Sequence, residues 1–246
     1  MKNVFFVLIY ILIFSLFTRT TYAENSSNIK VRTSFGDCPT RLIGNLTENL
    51  FEEFNKRMSL LDIKKKILVE DLQKKNFISS YEIKYDPLLQ ILEFKYNCPL
   101  PRSLVMVYEK DWNELYRAVL GNNGKLYDPT YEVILREEKK LNHELPMLSF
   151  PASEADNELQ MQITQILNDV RHNKLTKKIS EILINQDKEL TIILSYKGRT
   201  INVFMGTDQW KEKLEKIEKI TEHMALNRNL PTTINISNPK KIVVKF

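Results

Sequence analysis

Apolar and polar positions repeat with two different periods along this chain, and each change of period marks an element. Ile29-Lys30-Val31-Arg32-Thr33 alternates with period two, as a half-buried strand does, before Gly36, Asp37 and Pro39 break it. Leu46, Leu50, Phe51 and Phe54 then recur at helical spacing, behind a candidate cap at Asn45 or Thr47. Ile63, Ile67, Leu68, Asp71 and Leu72 keep that rhythm, with Lys64, Lys65 and Lys66 on the outer, solvated face. Residues 77–85 alternate through Ile78, Tyr81, Ile83 and Tyr85. Asp86-Pro87 reverses the chain, and residues 89–96 return through Leu89, Ile91, Leu92, Phe94 and Tyr96. The predicted order is β-α-α-β-β, a complete small module.

Pro99 and Pro101 separate this module from the rest of the chain, because proline is poorly tolerated inside paired strands. Residues 103–108 read as a strand. Trp112 and Tyr116 precede a hairpin of residues 117–120 and 125–127, turned by Gly121-Asn122-Asn123-Gly124, where Asn-Gly accepts positive φ. Leu145-Pro146-Met147-Leu148 is another extended piece, and Leu159, Ile163, Ile166, Leu167 and Val170 line one helix face. Strands follow over residues 178–185, 189–196 and 200–205, the last pair joined by Lys197-Gly198-Arg199. A helix over residues 209–224 packs Trp210, Leu214, Ile217, Ile220 and Met224 on one side. Residues 240–246 form a final basic strand, whose edge can pair with another chain.

The chain has 246 residues, 43% of them hydrophobic, enough for one large or two small domains. Its charge of +5 comes from dispersed residues, the pattern of a solvated surface rather than a nucleic-acid site. Lys2, an apolar run over residues 4–17 and small Ala23 match a secretory signal peptide. Fourteen helical residues reach roughly 21 Å, short of the ~30 Å hydrocarbon layer. An uncleaved signal anchor lengthened by Thr20, Thr21 and Tyr22 is the competing reading, and either one exports everything after Ala23. In an oxidising compartment Cys38 and Cys98 are either a disulfide or a pair of buried thiols.

Chemistry is poorly represented. His143, His172 and His223 lie in polar contexts without a nucleophile or metal-ligand spacing, and no phosphate-cradling glycine loop occurs. Glu52-Glu53 and Glu137-Glu138 are expected to be solvated. The reading is of a protein that is not an enzyme, with no cofactor, no metal and no small-molecule substrate.

The order of parts resembles the extracytoplasmic portion of the bacterial cell-division proteins FtsQ/DivIB: a hydrophobic N-terminal segment, a POTRA-type β-α-α-β-β module, then a strand-rich domain. Val203-Phe204-Met205-Gly206 leading into Trp210-Lys211-Glu212-Lys213-Leu214 is similar to the family's strand, glycine and Lys-Leu-rich helix. Ile234-Asn235-Ile236 followed by Lys240-Lys241-Ile242-Val243-Val244-Lys245 is similar to its closing basic-valine strand. Asn123-Gly124-Lys125 and Leu145-Pro146-Met147-Leu148 sit where the family has an aspartate-glycine hairpin and a Leu-Pro-x-Leu segment. Family members carry a basic cytoplasmic tail before a full transmembrane helix, whereas only Met1-Lys2-Asn3 precede the apolar run here.

The resemblance implies an α+β fold: a POTRA-like domain over residues 29–98, then a strand-rich mixed α/β domain over residues 103–246 ending in an edge strand. Residues 1–23 are the signal peptide or anchor. It implies a non-enzymatic scaffold of septum formation, on the periplasmic face of the inner membrane at the division site, or in the periplasm if the signal is cleaved. Its implied partners are the bitopic division proteins FtsB and FtsL, paired along Ile242, Val243, Val244, Lys245 and Phe246. The edge strand holding Tyr81, Ile83 and Tyr85 is implied to engage the chain's own anchor region or the Sec machinery. In POTRA-type sheets the third strand lies between the other two, parallel to the first, which implies a Cys38–Cys98 disulfide. A different class is the alternative: a secreted periplasmic POTRA-containing protein in outer-membrane assembly, or a chaperone-like binder.

Overall fold

The computed structural model describes residues 29–111, 113–168, 174–196, 198–227, 229–238 and 240–246. The expected signal segment, Trp112, Val170, His172, Lys197 and Pro239 lie outside the described residues. The described residues build two sheets. The first, from strands β1 (Lys30–Ser34), β2 (Ser80–Asp86) and β3 (Ile91–Asn97), has the order β1-β3-β2. β3 runs parallel to β1 from Lys30↔Ile91 and antiparallel to β2 from Ser80↔Asn97. Helices α1 (Thr40–Arg57), α2 (Leu60–Val69) and the single turn α3 (Leu72–Lys75) come between β1 and β2. Ile43, Leu50, Phe54 and Ile63 from the helices meet Ile83, Leu92 and Phe94 from the sheet in one buried cluster.

Local chemistry moves several boundaries. α1 starts at Thr40 behind Pro39, not behind Asn45 or Thr47. Both predicted caps lie inside the helix, because burial of Ile43 and Leu46 rewards extending it upstream. The Thr47 hydroxyl instead donates to the Ile43 carbonyl at 2.8 Å. The second predicted helix is divided, since Asp71 takes a left-handed φ of 50°, and Leu68 is exposed rather than packed. Phe77, with φ 57°, leaves the first sheet and inserts elsewhere. Leu89 belongs to the β2–β3 turn.

The second sheet has nine strands in the order β12-β11-β10-β9-β8-β7-β4-β5-β6. These are β4 (Pro101–Tyr108), β5 (Glu114–Gly121), β6 (Leu126–Tyr127), β7 (Met147–Pro151), β8 (Ile179–Ile184), β9 (Leu190–Tyr196), β10 (Arg199–Gly206), β11 (Thr233–Asn235) and β12 (Val243–Lys245). Three neighbouring pairs are parallel, β4–β7, β7–β8 and β10–β11. Each is bridged by a crossover containing a helix, respectively α4 (Tyr131–Leu141), α5 (Asn157–Asn168) and α6 (Trp210–Leu226). Register carries one apolar row across the sheet: Val105, Leu148, Ile182, Ile192, Val203 and Ile234. Helices α5 and α6 cover that face through Leu159, Ile163, Trp210 and Ile217.

The α4 helix is absent from the sequence prediction. It lies against the opposite face, where Val133 joins Val119, Tyr127 and Phe77. Its Glu137 is buried, not solvated, with Oε1 3.6 Å from the equally buried Arg102 guanidinium. Burial of a carboxylate requires such a counter-charge. Tyr116, expected ahead of the hairpin, is part of β5 and opposes Val107. His143 is half-buried, with Nδ1 2.8 Å from the Glu144 carbonyl oxygen.

The two sheets meet at the β6 edge. Phe77 reaches across to Tyr127 with ring centroids 4.7 Å apart, and the Asp128 N–H donates to the Lys74 carbonyl at 3.3 Å. Nearby, Arg136 on α4 donates to the Cys38 carbonyl at 2.8 Å. Cys38 and Cys98 are joined by a disulfide with Cα atoms 5.1 Å apart. It links the loop after β1 to the exit of β3, beside the seam.

Candidate partner-docking edge

A sheet edge becomes a docking site when its backbone is unpaired and its side chains do not seal it. The nine-stranded sheet has β6 at one edge and β12 at the other. The first unit leans on the β6 end through Lys74 and Phe77, which meet Asp128 and Tyr127. β12 has only β11 beside it among the described residues, with register Thr233↔Lys245, Ile234↔Val244 and Asn235↔Val243.

The segment is positioned by the β10-α6-β11 crossover. At the end of β10 the register shifts between Phe204 and Gly206, and the α6 side chain of Lys213 donates to the Met205 carbonyl at 2.8 Å. The same ammonium reaches the Asp208 carboxylate at 2.7 Å. Lys213 is 2% exposed, so a cation inside the core is held by an acceptor at each hand. The Trp210 indole donates to the Gly206 carbonyl at 2.8 Å, fixing the helix start. Gly206 has φ 73°, and a Cβ there would lie 3.1 Å from the Ser237 Cβ. This packing brings the chain after β11 against the bulge, from which it turns back as β12.

The predicted docking residues divide by face. Val244 continues the apolar row after Ile234 and is half-buried. Val243 and Lys245 point to the opposite face and are exposed, as are Ile242 and Phe246 on either side of the strand. The predicted strand over residues 240–246 is shorter than expected, because hydrogen-bonded pairing is confined to Val243–Lys245. Lys240, Lys241 and Lys245 are all exposed around it, giving the edge a positive charge.

Sequence reasoning missed what stands next to Val243. Register carries a second row over the face turned away from α5 and α6: Ser149, Leu183, Thr191, Phe204, Asn235 and Val243. Phe204 is 42% exposed, a large apolar side chain two strands in from the edge. Alternation in residues 200–205 gave the signal, since Phe204 is out of phase with Ile201, Val203 and Met205. The other predicted edge is β2, and there the side chains turn inward. Ile83 is buried, while Tyr81 and Tyr85 are half-buried against the helices; Phe54 lies 4.9 Å from Tyr85 between ring centroids. Outward positions on β2 are Glu82 and Lys84, paired with each other at 2.5 Å.

Among the described residues no helix is long and apolar enough to cross a membrane, and no group of His, Cys, Asp and Glu could hold a metal. The fold defines a class: an α+β protein with a POTRA-like domain ahead of a strand-rich domain. The model of the family described as "Cell division protein FtsQ/DivIB, C-terminal" matches residues 109–237, and the chain belongs to the FtsQ/DivIB family. That membership implies a role in cell division, in a family of non-catalytic proteins that act with other division proteins outside the cytoplasm. No curated protein matches the chain. The match ends before β12, so the docking edge itself lies outside it.

Proposed function

We propose that this protein is a non-enzymatic, extracytoplasmic scaffold of the division machinery, and that it receives partner proteins by strand addition to β12. The partners are bitopic division proteins of the FtsB and FtsL type. The reading places the protein on the periplasmic face of the inner membrane at the division site. Residues 29–98 form one domain and residues 103–246 the other. The observation that carries it is the asymmetry of the large sheet: β6 is engaged by the first unit, while among the described residues β12 is flanked by β11 alone. Exposed Val243 and Phe204 beside that edge provide apolar contact, and the surrounding lysines favour an acidic partner strand. At β2, pairing would use the backbone and the charged outward side chains, with Tyr81, Ile83 and Tyr85 held in the core.

The test is binding of the full chain to the extracytoplasmic segment of an FtsB-type protein, comparing the parent with Val244→Pro. Val243 and Lys245 pair with Asn235 and Thr233 of β11, so the Val244 N–H is the one turned to the free edge, and proline there removes it and fixes φ. Because β12 carries no fully buried residue, the urea midpoint of the variant should stay close to the parent's while binding is lost. Undiminished binding by V244P would reject strand addition at β12. The alternative reading, a secreted module for outer-membrane assembly, has no observation specific to it.

A further inference from the structure

The end of the first unit where the chain enters carries exposed apolar side chains that the fold does not use. Leu88 is 93% exposed and Leu89 65%, side by side in the turn between β2 and β3. Turns of this kind favour Gly, Asn, Asp or Ser for conformational reasons, and Gln90 here takes a φ of 52° without being any of them. The same end holds the α1–α2 connection, because α1 runs back along the sheet and brings Phe54 onto Tyr85, next to the β2 turn. Met58 in that connection and Leu61 in the first turn of α2 are 47% and 75% exposed. Large apolar side chains from the β2–β3 turn, the α1–α2 connection and the start of α2 thus project at one end of the unit, where neither core nor seam can cover them.

The entry point fixes what lies opposite. The Lys30 N–H donates to the Gln90 carbonyl at 2.8 Å, so the chain enters at the foot of the Leu88-Leu89 turn. In the sequence, the apolar run over residues 4–17 is separated from Ile29 by eleven residues. Fully extended, these span no more than about 40 Å. Charge at this end is mixed: Lys30, Lys56 and Arg57 are exposed, and so are Glu52 and Asp86. Several of the carboxylates there are engaged. Asp86 accepts from the N–H groups of Leu88 at 2.9 Å and Leu89 at 3.1 Å, while Glu53 and Asp62 lie 3.3 and 3.8 Å from Arg57.

We propose that this tip, led by Leu88 and Leu89, docks on the surface of a lipid bilayer. The leucines enter the interfacial layer and the flanking Lys30 and Lys56 reach the headgroups. The proposal takes from the scaffold reading only that the chain is held at a membrane. Docking would orient the first unit tip-down and point the opposite end, with the disulfide and the seam, away from the lipid.

The experiment uses the full chain reconstituted in vesicles of phosphatidylethanolamine and phosphatidylglycerol with brominated acyl chains. Tryptophan is introduced as Leu88→Trp or Leu61→Trp at the tip, and as Tyr131→Trp in the second sheet's helix α4, where the parent side chain is 82% exposed. The added emission of L88W and L61W should shift to shorter wavelength and lose most of its intensity to bromine, with neither change in Y131W. Adding Leu88→Asp and Leu89→Asp to L61W should restore its emission. Tip emission indistinguishable from Y131W overturns the proposal, as does a wavelength shift without bromine quenching, which would mean a protein contact. The vesicles hold no division partner and β12 is unaltered, so failure here is independent of the V244P result.

Discussion

Tyr96 shows how a single buried hydroxyl sets a pH limit. The residue is 2% exposed on β3, and its hydroxyl lies 3.2 Å from that of Thr47. Burial disfavours the phenolate and lifts the pKa from its ordinary 10.0 to about 12, with the Thr47 hydrogen bond pulling the other way. A folded-state pKa above the unfolded one means that the stabilisation is complete below the unfolded value and fades as pH rises through the folded one. The window is therefore pH 10 to about 12. Unfolding free energies of the parent from urea titration should fall across it by about 2–3 kcal/mol more than those of Tyr96→Phe. Equal slopes for the two would remove Tyr96 from the alkaline limit. The alternation that puts Phe94 and Tyr96 inside was legible in the sequence. The buried pair Arg102 and Glu137 was not: the two residues lie in different elements, and only the packing of α4 brings them within reach.

At the scale of elements, periodicity located most strands and helices. It failed where a tertiary contact outweighed local preference. The short strand β11 and the helix α4 have little pattern of their own; one is pinned between β10 and β12, the other packs Val133 over Val119. Residues 240–246 read as one strand, but only three of them find partners. The disulfide acts between elements: it joins the end of β1 to the end of β3 across 60 residues of sequence. Closing a loop of that length removes about 4 kcal/mol of unfolded-chain freedom in the chain-entropy view. Reduction under otherwise native conditions should lower the urea midpoint accordingly, and an unchanged midpoint would show that the helices alone hold the small sheet together.

Across the whole molecule, the seam between the sheets is a small apolar cluster with Phe77 at its centre. The sequence placed the boundary between the units near Pro99 but gave no sign that they touch, because Phe77 read as the first residue of a strand. Its left-handed backbone instead throws the ring across to Tyr127. Phe77→Ala should cost about 3–5 kcal/mol, as for other fully buried aromatic truncations. Beyond that loss, it should let protease cut near Leu100 before either sheet unfolds. Intact resistance at that site would mean that Arg136 and the disulfide suffice to hold the units together.

The capped β6 edge has a further consequence for stoichiometry. A sheet open at both margins can be extended from each side, and copies of it can stack edge to edge without limit. In this nine-stranded sheet the two-residue strand β6 is leaned on from within the same chain, which disfavours addition at that end of the margin. If β12 receives a guest as proposed, additions to the two margins are unequal, which favours a fixed ratio of guest to host and guards an exposed strand against runaway polymerisation.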